Sequence, residues 1–176
     1  MKLIRIGILV FLCLSMNSLL FGDSDTTKQT KKPITADISS YTNYLGVSIS
    51  NISSYGISYT SRISKKVDLK FVSLFYYYRN DSSDETDRIT NIGIEYHHIL
   101  YMTKLSKMFF LVGTGYSYSS VVYDEKNSFS LGCGLGIDFL VSDHFFWELG
   151  LAYNFRKGKN ANTFAPGVII SGSYAF

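Results

Sequence analysis

Residues 131–155 read LGCGLGIDFLVSDHFFWELGLAYNF, and the alternation in this stretch decides the fold. Successive side chains of an extended strand point to opposite sides. Phe129, Leu131, Cys133, Leu135, Ile137 and Phe139 therefore share one face, and Ser130, Gly132, Gly134, Gly136 and Asp138 the other. After a break at Ser142 and Asp143 the pattern resumes. Phe145, Trp147, Leu149, Leu151, Tyr153 and Phe155 now oppose Glu148, Gly150, Ala152, Asn154 and Arg156. One face is large and apolar, the other small or charged, and two such strands across a tight turn read as a β-hairpin.

Working outward, period-two patterning predicts eight strands, at 43–50, 55–63, 67–79, 88–101, 108–123, 127–141, 144–156 and 165–176. Ten of the fourteen glycines (46, 56, 93, 113, 115, 132, 134, 136, 150 and 167) fall on the small face. A soluble β-protein turns its polar face to water, and that face carries Lys, Glu and Thr rather than a column of glycines. Small residues belong where space is scarce, inside a narrow barrel whose lumen is filled by side chains. The large residues then face lipid. The expected fold class is all-β, an eight-stranded antiparallel up-and-down transmembrane β-barrel over 41–176. The competing reading, a soluble sandwich or lipocalin-like barrel, would leave a glycine-lined exterior.

The composition agrees. Of 176 residues, 46% are hydrophobic, 16% aromatic and only 18% charged, against about 25% charged in soluble domains. That balance excludes a typical soluble enzyme domain. Residues 1–22 (MKLIRIGILVFLCLSMNSLLFG) join a basic start, Lys2 and Arg5, to an apolar run, as a signal peptide does. Asp23 is the expected mature start. Without Lys2 and Arg5 the formal charge of +3 falls to +1, so nucleic-acid binding has no electrostatic footprint. Cys13 leaves with the leader, and Cys133 alone allows no internal disulfide. Residues 23–40 are polar and aperiodic and are expected to form a flexible periplasmic lead-in.

Connection lengths add a second argument. With the amino terminus in the periplasm, the inner turns at 64–66, 102–107 and 142–143 are short. Two outer loops are longer and polar, 80–87 (NDSSDETD) and 157–164 (KGKNANTF), while those at 51–54 and 124–126 are tight. Short inner turns with longer outer loops are the asymmetry of transmembrane barrels. Aromatic residues band as interfaces require. Phe110, Phe145, Trp147, Tyr174 and Phe176 lie near inner strand ends, and Phe75, Tyr77, Tyr116, Tyr118, Tyr153 and Phe155 near outer ends.

On these residues the chain resembles the small eight-stranded outer-membrane barrels, the OmpA/OmpX-like domains and opacity-protein-like surface antigens. Residues 131–155 look like that group's sixth and seventh strands. The terminal VIISGSYAF, with Val168, Ile170, Tyr174 and Phe176 on one face, looks like the carboxyl-terminal signal read by the outer-membrane assembly machinery. Gly172 departs from the larger residue usual there. The resemblance implies an outer-membrane location, with lipid and the assembly machinery as partners and a monomeric state.

By parity the inward charges are Arg62, Asp68, Lys70, Glu95, Asp138, Glu148 and Arg156. Mixed charges in a narrow lumen are expected to pair into a plug, since unpaired they would be strongly desolvated. A narrow gated pore is the alternative. An enzyme acting on lipid A is a further one, because barrels of this size with that activity exist. His97 and His98 point to opposite faces, however, and His144 sits in an inner turn. No phosphate loop or metal-ligand spacing is present, so no cofactor is expected. Outer loops remain the place for activity. Asp81, Asp84, Glu85 and Asp87 form an acidic surface loop, read as a solvated surface rather than a calcium site. The expected role is structural or surface-interacting, adhesin- or antigen-like, through the outer loops.

Overall fold

The structure, a computed structural model, describes residues 34–80, 85–121, 124–158 and 162–176. The expected leader and residues 23–33 lie outside these. Eight strands follow a short 3-10 helix, η1 (Ile38–Ser40): β1 (Asn43–Ser50), β2 (Ser54–Ser64), β3 (Val67–Asn80), β4 (Glu85–Met102), β5 (Ser106–Val121), β6 (Asp124–Leu140), β7 (Phe145–Gly158) and β8 (Asn162–Ala175). Each pairs antiparallel with the next, and β1 also pairs with β8, which closes the barrel. The expected eight-stranded up-and-down architecture is the one observed.

Register carries the two-residue alternation around the wall, interrupted by shifts between Arg62 and Ser64 on β2 and between Ile99 and Tyr101 on β4. Lys70 pairs with Glu95, Glu95 with Gly113, Gly113 with Gly132, and Gly132 with Asn154. All of these point inward. The residues between them point out, and there Leu151, Phe75 and Val47 are 72%, 69% and 65% exposed. Lys70 and Lys107, by contrast, are each 1% exposed. The molecule is apolar outside and ionic inside.

The wall is uneven. β4 has 18 residues and β1 only 8, so at about 3.3 Å per residue and a tilt near 40° they rise about 45 Å and 20 Å. The low β1–β2 hairpin therefore ends deep within the height of its neighbours.

Four expectations are corrected. The lead-in proposed as flexible is packed from Ile34 onward, and the compact unit begins there rather than at 41. The acidic loop is also shorter than 80–87. Asn80 pairs with Glu85 and Tyr78 with Asp87, so Glu85 and Asp87 belong to β4, while Asp81 and Asp84 lie outside the described residues. The run of aromatics in β3 favours continued pairing, and the Arg88 guanidinium sits 5.5 Å from the centre of the Tyr77 ring. Likewise β6 begins at Asp124, inside the turn expected at 124–126, and β7 and β8 extend to Gly158 and from Asn162.

Candidate functional site

The lumen is where the chain's charged residues meet, and it is closed from both sides. On the side away from the termini, the β1–β2 turn at Asn51, Ile52 and Ser53 bends inward. Ile52 and Ser53 are completely buried, and Ile52 packs in a cluster with Phe109, Leu111, Ala152 and Ile169.

A buried turn must satisfy its own backbone. This one does so locally and across the lumen. The Ile52 and Ser53 N–H groups donate to Ser50 Oγ at 3.1 and 3.2 Å. The Ile52 carbonyl accepts from Ser130 Oγ at 2.5 Å, and the Asn51 carbonyl from Asn154 Nδ2 at 2.5 Å. The Ser50 and Ser53 hydroxyls donate to Glu95 Oε1 at 2.8 and 2.6 Å.

The turn also explains the glycine column. A Cβ on Gly113 or Gly132 would fall 2.9 Å from an Ile52 side-chain carbon, one on Gly93 would meet Ser53, and one on Gly167 would meet Asn51. These glycines are a socket, and only hydrogen at those positions leaves room for the turn.

At the terminal side, η1 forms a cap. Asp37 Oδ1 accepts the Ser39 N–H at 2.8 Å, which starts the helix and holds the Asp37 carboxyl below the usual carboxylate range. Ile38 is completely buried among Tyr44, Leu140, Phe146 and Ala175. Asp143 Oδ1 accepts the Thr35 and Ala36 N–H groups at 2.9 and 3.2 Å, and the Tyr41 hydroxyl donates to the Asp143 carbonyl. Arg62 Nη1 donates to the Ile38 and Ser39 carbonyls at 3.3 and 3.1 Å, tying the cap to the charges above it.

Between turn and cap lie two ion clusters. Near the cap, Asp68 bridges Arg62 Nε at 3.1 Å and Lys107 Nζ at 2.5 Å, and Lys107 reaches Asp138 at 2.8 Å. Beneath the turn, Lys70 Nζ lies 2.6 Å from Glu148 and 3.8 Å from Glu95 Oε2. His97 Nε2 is 3.0 Å from the same Glu95 oxygen, and its ring stacks on Phe109 at 4.2 Å. Glu95, His97 and Glu148 bring donor atoms within 4.8 Å of one another. The Lys70 ammonium stands among them as the cation of that group, held by both carboxylates.

Six of the seven inward charges expected from sequence, Arg62, Asp68, Lys70, Glu95, Asp138 and Glu148, join these clusters. Arg156 does not. It follows the inward parity of Asn154 but is exposed, on the outer side of that residue. Lys107 was missed because the turn expected at 102–107 absorbed it. β5 in fact starts at Ser106, and Lys107 shares parity with Phe109 and Leu111, the signal that would have found it. His98 stands outward beside Tyr96. His144 stacks on Tyr174 at 5.3 Å near the chain end. Val168, Ile170, Tyr174 and Phe176 keep one outward face, with Tyr174 and Phe176 53% and 60% exposed. Cys133 is free and exposed on β6.

No family model matches the chain, and no curated protein matches it. Among solved structures it is similar to Neisserial surface protein A (15% identity, TM-score 0.48, covering 76% of this chain and 93% of that one). It is similar also to the N-terminal β-barrel domain of Pseudomonas aeruginosa OprF (13%, 0.47, 76% and 98%). A third is the attachment invasion locus protein Ail of Yersinia pestis in complex with the heparin analogue sucrose octasulfate (12%, 0.46, 77% and 97%). The likeness is one of fold.

Proposed function

We propose that the chain is an integral outer-membrane β-barrel that serves as a closed scaffold and acts through the connections at the end away from its termini, in a structural or surface-interaction role. One observation carries this reading, the inverted distribution of polarity. Lysines are buried while one continuous face of Leu, Ile, Val, Phe and Tyr is exposed, far beyond the few hundred Å² of apolar patch that a soluble monomer shows. Hydrocarbon is the solvent that suits such a face, and a closed barrel leaves no unpaired strand edge in it.

The filled lumen supports a scaffold over a conduit. The turn, two ion clusters and the cap occupy its height in sequence, so passage of a solute would require breaking buried pairs. In this reading the outward Val168, Ile170, Tyr174 and Phe176 are the handle for the assembly machinery. Surrounding lipid and an extracellular ligand are the further partners, and the barrel acts as a monomer.

Electrophoresis of the detergent-folded chain with and without boiling tests the membrane barrel. A heat-dependent band shift with β-type circular dichroism is the expected result. No shift, together with solubility in plain buffer, would reverse the two faces and sink the proposal. The surface role is tested separately by replacing 81–84 with a two-residue turn. Binding to cells or matrix should fall while the band shift persists, and unchanged binding would remove that hairpin from the role.

A further inference from the structure

The ion network carries an excess negative charge. Between turn and cap, Arg62, Lys70 and Lys107 face Asp68, Glu95, Asp138 and Glu148, three cations against four carboxylates. Asp68 and Glu95 have partners on both oxygens. Asp138 and Glu148 each give one oxygen to a lysine, and their others, Asp138 Oδ1 and Glu148 Oε1, are buried without a hydrogen-bond partner.

The two residues are direct partners across β6 and β7. The Glu148 side chain is only 10% exposed. Both line a cavity of about 10 Å³, with Thr60, Ser173 and Tyr44 among its walls. That volume holds one water-sized body. Two carboxylates that line one cavity, each with an unpartnered oxygen, repel each other, and a buried unpaired charge is costly.

We propose that this cavity binds one small monovalent cation, sodium, beside Asp138 and Glu148. A single positive charge cancels the excess and gives both unpartnered oxygens a ligand. Carboxylate and hydroxyl oxygens suit a hard cation. A divalent ion would reverse the imbalance beside two ammonium groups. The charges facing the pair are Lys107 from β5, Lys70 and Asp68 from β3, Glu95 and His97 from β4, and Arg62 from β2. β1 adds the Tyr44 hydroxyl, and β8 only serines.

His97 reaches neither orphan oxygen, since its Nε2 is bonded to Glu95 Oε2 at 3.0 Å.

The test is urea unfolding of the detergent-folded full barrel at constant ionic strength, exchanging sodium for choline between pH 6 and 9. The folded-to-unfolded ratio should rise with sodium, approaching about tenfold per tenfold of sodium above its dissociation constant. A ratio that ignores sodium and falls with rising pH would put a proton on a carboxyl instead, and overturns the proposal. The sodium dependence should vanish in Asp138→Asn and in Glu148→Gln and persist in His97→Gln. A wild type insensitive to sodium overturns the proposal, as does a response lost only in His97→Gln. Should the carboxylate variants fail to fold, infrared spectra of the wild type decide. A carboxylate shift on adding sodium supports the site. Absence of that shift refutes it.

Discussion

Ile52→Ala tests the inserted turn more sharply than any other change. Ile52 sits at the tip of a three-residue connection between two strands, a place where substitutions of an exposed side chain stay within about 0.5 kcal/mol. Here the side chain is completely buried against Phe109, Leu111, Ala152 and Ile169. The substitution removes three carbons, about 2.4 kcal/mol of transfer free energy at about 0.8 kcal/mol each. Collapse around the gap is restrained, because the flanking carbonyls are held by Ser130 and Asn154 and the flanking hydroxyls by Glu95. A cavity contribution therefore adds to the transfer loss, and the expected total is about 3 kcal/mol, within the 2–5 kcal/mol of buried Ile→Ala changes. Urea unfolding in detergent, read by the fraction of heat-shiftable band, measures it. Amide exchange at Ile52 and Ser53 supplies a second reading, since both N–H groups are buried and bonded to Ser50 Oγ. A loss below about 1 kcal/mol, with fast exchange at both amides, would place the turn in solvent and refute the plug.

Other contacts give independent checks. The atoms nearest to a Cβ on Gly136 would all belong to the Phe109 ring, with Cζ at 2.5 Å. Gly136→Ala should cost about 1–3 kcal/mol, and Phe109→Leu in the same chain should recover part of that in a double-mutant cycle; strict additivity would mean the two do not touch. Lys107→Met strips the partner from Asp68 and Asp138 and should destabilise by about 3–5 kcal/mol. Arg156→Met, above the turn, should change stability by no more than about 0.5 kcal/mol, and equal effects would show the cluster boundary to be misplaced. The Asp37 carboxyl is held below its usual range by the Ser39 N–H, so its contribution is full above about pH 4 and disappears as pH falls through the lowered value. The difference in unfolding midpoint between wild type and Asp37→Ala should therefore shrink from pH 7 to pH 3, and a difference that grows on acidification would contradict the cap.

Much of the fold was legible because it depends on a local property, the two-residue alternation. Phe129 through Phe139 declare their face without knowledge of any partner strand, and β1 is found at its expected bounds. The inward charges followed from the same parity, and six of seven reached the network. What parity does not contain is height. Arg156 has the inward parity, but it lies beyond the ion clusters and is exposed. Lys107 was lost at a strand end, where a one-residue error in a boundary hides a buried ammonium. The cap was unreadable for a different reason. Ile38 is one apolar residue in a polar stretch, and its burial depends on a pocket built from Tyr44, Leu140, Phe146 and Ala175, spread over four strands.

The glycine column shows the limit of reading one strand at a time. Its presence argued correctly for a crowded interior, yet much of the crowding comes from an inserted turn, backbone and side chain, rather than from the wall alone. A low β1–β2 hairpin, a wall of taller neighbours and the glycines around its tip only make sense together. Shorten the hairpin, and its tip must either float in the lumen with unsatisfied amides or be held; Ser50, Glu95, Ser130 and Asn154 hold it. Once held, the tip seals the ion clusters from above as Ile38 seals them from below, and the pairs keep the low-dielectric setting that makes them strong. On the proposed reading this separates two tasks. The barrel's stability resides beneath the turn, so the connections above it can change sequence without disturbing the core, which is the arrangement a variable binding surface on a rigid support requires.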